Sequence, residues 1–151
     1  MKKMLLLLNI ALLLFVANSN AQTEVPKGFE KGNITLADGN NLAGYVKDQI
    51  RKSASIQFYN PTTGKKQMLD GNNLNAVETN GNRYLCLNGD FYKVLNNTDP
   101  MLLQKSSDVT GKSSYNGAET IISKGNEGKI DDQFQYNSNT NELKPFAAKK
   151  N

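Results

Sequence analysis

The chain has 151 residues, of which 18 are basic and 14 acidic, with no histidine and no tryptophan. A formal charge of +4 without a Lys/Arg stripe, and with Arg51 and Arg83 as the only arginines, excludes the electrostatic footprint of a nucleic-acid binder. The absence of histidine excludes Ser-His-Asp and Cys-His nucleophilic machinery and most zinc sites, and a single cysteine, Cys86, excludes a disulfide framework within the chain.

Lys2 and Lys3 precede an almost wholly apolar run, Met4 to Val16. That run is too short to span a bilayer comfortably and fits the hydrophobic region of a signal peptide. Ser19 and Ala21 place small residues where a signal peptidase inspects the chain, which predicts cleavage between Ala21 and Gln22. The signal is 1–21, and its loss takes two lysines and no acid, leaving 16 minus 14, or +2. No cysteine follows the apolar run, which disfavours a lipid anchor, and no second long apolar run follows. The expected address is periplasmic, cell-surface or secreted, without a membrane span after cleavage.

Residues 22–31 read as an extended, weakly ordered lead-in to a domain over 32–147. Ile34 and Leu36 alternate with Asn33 and Thr35, Leu42, Gly44 and Val46 alternate with Ala43, Tyr45 and Lys47, and Asp38-Gly39-Asn40-Asn41 between them predicts a hairpin. Ala54, Ile56 and Phe58 alternate with Ser53, Ser55, Gln57 and Tyr59 as a third strand. Pro61 and Gly64 break the chain before a short strand, "KQML". Asn88-Gly89 between "RYLCL" and "FYKVL" is the clearest hairpin signal; Tyr84–Leu87 is apolar on both faces and Phe91–Leu95 nearly so, as expected at the centre of a sheet. Cys86 lies in the first run and reads as a buried small hydrophobe. "MLLQK" after Asp99-Pro100 is another strand.

Ser106 to Ala118 is polar and rich in Gly and Ser. It reads as a long exposed connection or a contact loop, with Tyr115 as its one aromatic residue and the natural anchor for a partner or glycan. "ETIISKG" resumes a strand. "DDQFQYNSNTNELKPF" predicts a last hairpin with Phe134 and Tyr136 facing Leu143 and Phe146, and 148–151 is a frayed tail. No convincing amphipathic helix is visible. The class is therefore all-β: a single antiparallel β-sandwich or small open β-barrel built from hairpins.

Asp-Gly-Asn-Asn occurs twice, at 38–41 and 70–73, each time followed by leucine. Eighteen of the 130 residues after the signal are asparagine, most of them at predicted turns. Asparagine tolerates left-handed backbone geometry, so the repeat reads as turn chemistry. Calcium loops need oxygen ligands at alternating places and a closing acid, and neither copy has them. Asp131 and Asp132 are adjacent, and on a strand they would point apart. "GNEGK" lacks the spacing of a phosphate loop.

The opening "KGNITLADGNNLAGYVKD", then "IQF", "RYL" and "FYKVL…LLQK", resembles small secreted β proteins of Bacteroidetes bacteria, over roughly the whole chain after the signal. The resemblance implies an exported location and a compact β fold, carries over no catalytic residue, and implies that Gln22 cyclises after cleavage. The functional expectation is a non-enzymatic binding or structural module of the cell envelope, with no cofactor and no metal. Its partner is an envelope protein or glycan. The alternatives are a carboxylate-dependent glycan hydrolase, with two acids about 5–10 Å apart in a cleft, and a carrier of small apolar ligands in a barrel lumen.

Overall fold

The computed structural model describes residues 24–115 and 117–147. The expected signal segment 1–21 with its predicted Ala21–Gln22 junction, and the tail 148–151, lie outside the described residues. Strands dominate, as the sequence predicts. The first hairpin joins β1 (Glu30–Leu36) to β2 (Asn41–Gln49). At its turn Gly39 takes φ 90° and the Asp38 carboxylate accepts the Asn40 N–H at 2.9 Å. The lead-in is firmer than expected: Glu30 already pairs with Val46, and Phe29 meets the Tyr59 ring edge-on at 6.3 Å.

A one-turn helix, α1 (Ile50–Ser53), follows β2. Ala54 closes it in the left-handed region at φ 52°, donating its N–H to the Ile50 carbonyl. Ala54 is thus a helix cap, not the first inward residue of a strand, and β3 is Ser55–Asn60. Four residues are too few to show helical periodicity, so the turn was invisible in the sequence. After β4 (Lys65–Asp70) comes β5 (Leu74–Thr79), a strand without a clean alternating pattern in the sequence. Its buried residues are Leu74, Val77 and Thr79, spaced three and then two. A register shift against β1 at Thr35/Leu36 produces that broken alternation.

Strands β6 (Asn82–Leu87) and β7 (Asp90–Asn96) form the expected hairpin, with Asn88 at φ 50° and Gly89 at φ 86°. Next is β8 (Met101–Lys105). The chain then leaves the sheet for a short ribbon, β9 (Ser113–Tyr115) and β10 (Thr120–Ile122), and returns as β11 (Gln133–Asn137) and β12 (Glu142–Pro145). In this last hairpin Tyr136 faces Leu143 as expected, but Phe134 faces Pro145, and Phe146 lies beyond the strand.

Ten strands form one antiparallel sheet in the order β12-β11-β8-β7-β6-β5-β1-β2-β3-β4, which does not close on itself. Its two faces are buried in different places. On one face Ile34, Val46, Ile56, Phe58, Leu69, Leu74, Val77, Tyr84 and Phe91 form the main core over β1 to β7, with Ile50 of α1 packed on it. On the other face Tyr92, Leu103 and Phe134 form a second core over β7, β8 and β11. Elsewhere that second face carries Asn33, Thr35, Asn41, Ala43 and Glu78 across β1, β2 and β5, and beyond them Tyr45 and Tyr59 in ring contact, with Tyr59 buried. Phe91 and Tyr92 are adjacent and both fully buried, one in each core. The β6–β7 hairpin is therefore covered on both sides, as its apolar runs predict, although Leu95 at its end is 41% exposed. A fully buried aromatic contributes about 1.5–3 kcal/mol through desolvation, so this pair ties the two cores together.

Candidate functional site

The two Asp-Gly-Asn-Asn copies look alike in sequence and do different work. The first caps an exposed hairpin. In the second, Asp70 Oδ1 accepts the N–H groups of Asn72 at 2.8 Å and Asn73 at 3.2 Å, while Asn73 Oδ1 accepts the Asp70 N–H at 3.1 Å. This side-chain to backbone bonding fixes the turn locally. Gly71 then bridges Gly89, which lays the turn alongside the Asn88-Gly89 turn. A wall rich in side-chain amides results.

Opposite that wall stands the β9–β10 ribbon. Between them lies a cleft of about 820 Å³, lined by Asp70, Asn72, Asn73, Asn88, Tyr115, Ile121, Ile122, Ser123, Lys124 and Gly125. Tyr115 is 70% exposed, and its hydroxyl donates to the Gly117 carbonyl at 3.0 Å, which steadies the ring. Ile121 and Ile122 are also exposed, at 44% and 58%. The cleft thus offers one aromatic face, two aliphatic side chains, three amides, one carboxylate and one ammonium.

The segment Ser106–Ala118 is not a free linker. Ser107 and Val109 are buried, and residues 113–115 form β9, paired with β10. The ladder continues through Gly111 N–H to Ser123 O at 2.9 Å and Ser123 N–H to Lys112 O at 2.8 Å. Composition misleads here because the segment buries little apolar surface beyond Val109 and is ordered mainly by a buried charge. Asp90 and Lys105 are both fully buried, with Lys105 Nζ 3.3 Å from Asp90 Oδ2. Asp90 Oδ1 accepts the Val109 N–H at 2.9 Å, and Oδ2 accepts the Asn126 N–H at 2.9 Å. Lys105 Nζ donates to the carbonyls of Asn126 at 2.6 Å and Gly128 at 3.0 Å. Burial of such a pair is tolerated only when the remaining donors and acceptors are met, and here they are. No motif marks these residues in the sequence: Asp90 follows a turn, Lys105 ends a strand, and Asn126 sits in "GNEGK".

The other acids do not converge on the cleft. Asp131 and Asp132 lie in the turn before β11, not on a strand. Asp131 forms a two-pronged ion pair with Arg51, and Asp132 accepts the Lys129 N–H at 2.7 Å. The backbone N–H of Thr110, then its hydroxyl, holds the Asp108 carboxyl below the usual range, with Lys105 3.6 Å away. Cys86 is half-buried on β6; burial, then the charge of Asp70, pushes its thiol up to about 12. The Tyr92 hydroxyl is raised by burial and then by Asp90; it lies beside the Asn126 side chain without a well-formed hydrogen bond. Among the described residues no group of three or more His, Cys, Asp or Glu is placed to hold a metal, and no helix is long and apolar enough to cross a membrane.

No protein-family model matches this chain, and neither the curated proteins nor the solved structures yield a match to it.

Proposed function

We propose that this protein is an exported, non-enzymatic binding module of the cell envelope, and that its ligand is a glycan held in the cleft between the β9–β10 ribbon and the Asn-rich turns. The observation that carries this reading is the composition of the cleft: Tyr115 faces the same space as Asn72, Asn73 and Asn88. A sugar ring presents an apolar C–H face and a rim of hydroxyls. A tyrosine ring accepts the first, and amides, which both donate and accept, serve the second. Asp70 and Lys124 leave the lining without a dominant charge, which suits a neutral ligand. A few convergent polar groups beside apolar side chains are the usual make-up of a small-ligand site. The carboxylate-dependent hydrolase receives less support, because Asp70 is the single acid in the lining and its Oδ1 is engaged by its own turn.

The test is native electrophoresis of the mature protein through gels cast with soluble neutral polysaccharides (a mannan, a xylan and a dextran), alongside co-sedimentation with purified peptidoglycan. Retardation or sedimentation is expected with at least one of them, and Tyr115→Ala should abolish it while leaving the far-ultraviolet spectrum unchanged. Binding that survives both Tyr115→Ala and Asn88→Ala would place the ligand elsewhere. Reducing-sugar release that accompanies binding and is lost in Asp70→Asn would move the protein into the hydrolase class.

A further inference from the structure

We propose that the buried Asp90–Lys105 pair, relayed through Asn126, positions the cleft from inside the sheet. The effect on a ligand rests on the cleft being the binding site; the effect on the ribbon does not. A ribbon of two three-residue strands cannot hold itself in water, so its place must be set where it joins the fold. Both of its roots end on one carboxylate. The outgoing root gives the Val109 N–H to Asp90 Oδ1, and the returning root gives the Asn126 N–H to Oδ2, each at 2.9 Å. Buried Ser107 reinforces the first root by accepting the Phe91 N–H at 2.9 Å.

Asn126 carries the arrangement outward. Its backbone carbonyl accepts from Lys105 Nζ at 2.6 Å, and its side chain donates to the Leu87 carbonyl at 2.7 Å. Its Oδ1 accepts from Asn88 Nδ2 at 2.8 Å. Asn88 lines the cleft. With one amide hydrogen of Asn88 engaged, the plane of that amide is set, leaving its carbonyl oxygen and second hydrogen for a ligand. A charged pair suits this task better than an apolar contact. Apolar groups of similar volume are often as stabilising, but they do not dictate where two separate backbone N–H groups must lie.

Hydrogen exchange of the mature protein, read by NMR at single amides, tests the proposal. In the native protein the Val109 and Asn126 amides should exchange on the order of a hundredfold more slowly than unprotected amides, as expected of buried bonds. Unprotected rates at both would overturn the proposal at once. Asp90→Asn replaces one acceptor with a donor. Both amides and the ribbon should then exchange at least about tenfold faster while β1 to β3 keep their protection. Unchanged rates at Val109 and Asn126 in a folded Asp90→Asn protein would also overturn it. Asn126→Ala keeps both backbone contacts, so it should fold and retain ribbon protection but weaken glycan retention about fivefold or more, as loss of an ordering hydrogen bond does. Because it acts through Asn88, the double variant Asn88→Ala/Asn126→Ala should bind no worse than Asn88→Ala alone. Additive losses would show that Asn126 contributes only through general stability. If the native protein is retained by none of the glycans, the proposed ligand fails, while exchange at Val109 and Asn126 still decides the positioning.

Discussion

Gly39 and Gly71 occupy the same place in the two Asp-Gly-Asn-Asn copies, and alanine at each should fail for a different reason. At Gly39 there is open space, with nothing within 4 Å of an added Cβ, but the backbone sits at φ 90°. The cost there is conformational, about 1–2 kcal/mol for a side chain in a left-handed region. At Gly71 the φ is unexceptional, yet an added Cβ would lie 2.2 Å from the carbonyl oxygen of Gly89 and 2.6 Å from its carbonyl carbon. Both obstacles are backbone, so no rotamer change relieves them. The two turns must separate, and the Gly71–Gly89 bridge and one wall of the cleft go with them. Overpacking costs about 1–3 kcal/mol where side chains can adjust, so Gly71→Ala should lose about 3 kcal/mol or more. With a urea slope of roughly 1–3 kcal/mol per molar, the midpoint should fall by about 1–3 M, against under about 2 M for Gly39→Ala on the same slope. Equilibrium urea unfolding followed by tyrosine fluorescence measures both. If Gly71→Ala is no more destabilised than Gly39→Ala, the close approach of the two turns is wrong, and the two copies are the same exposed turn after all.

Lys105→Met leaves the Asp90 carboxylate buried without its counter-charge and should cost about 3–5 kcal/mol, with Asp90→Asn/Lys105→Met recovering part of the loss; a single variant of wild-type stability would refute the pairing. Tyr92→Phe removes a buried hydroxyl that lacks a well-formed hydrogen bond, so thermal unfolding should show stability unchanged or raised by about 1 kcal/mol, and a loss above that would mean the hydroxyl is bonded. Cys86, raised from 9.0 to about 12, holds about a thousandfold less thiolate near pH 8 than an ordinary thiol, so native labelling by a thiol reagent should be slower than in urea by at least about a hundredfold. Because the folded thiol is the weaker acid, its contribution to stability is complete below pH 9 and is lost as the pH rises toward 12; a Cys86→Ala protein should lack that part of the alkaline decline.

The sequence by itself determined the class of this protein and most of its strands. Local patterns sufficed wherever they are physically self-contained: Asn88-Gly89 can turn the chain in only a few ways, and the apolar runs beside it had to lie where both faces are covered. The same alternation made β1, β2 and β3 legible, and Tyr115 was legible as the aromatic residue of a polar segment. Other features depended on contacts remote in the chain. Strand β5 escaped because a shift against β1 breaks its period of two. Ser106–Ala118 read as a loose connection because composition measures how much apolar surface a segment can bury, whereas this one is held by hydrogen bonds to a carboxylate 19 residues earlier at Val109. The cleft is likewise a tertiary object. Asp70, Asn88 and Tyr115 belong to three separate turns and strands, and only the approach of Gly71 to Gly89 and the anchoring of both ribbon roots on Asp90 set them around one space. Backbone bonds within a turn are specified by its own residues, but the distance between two turns is specified by everything packed between them, which no local stretch encodes.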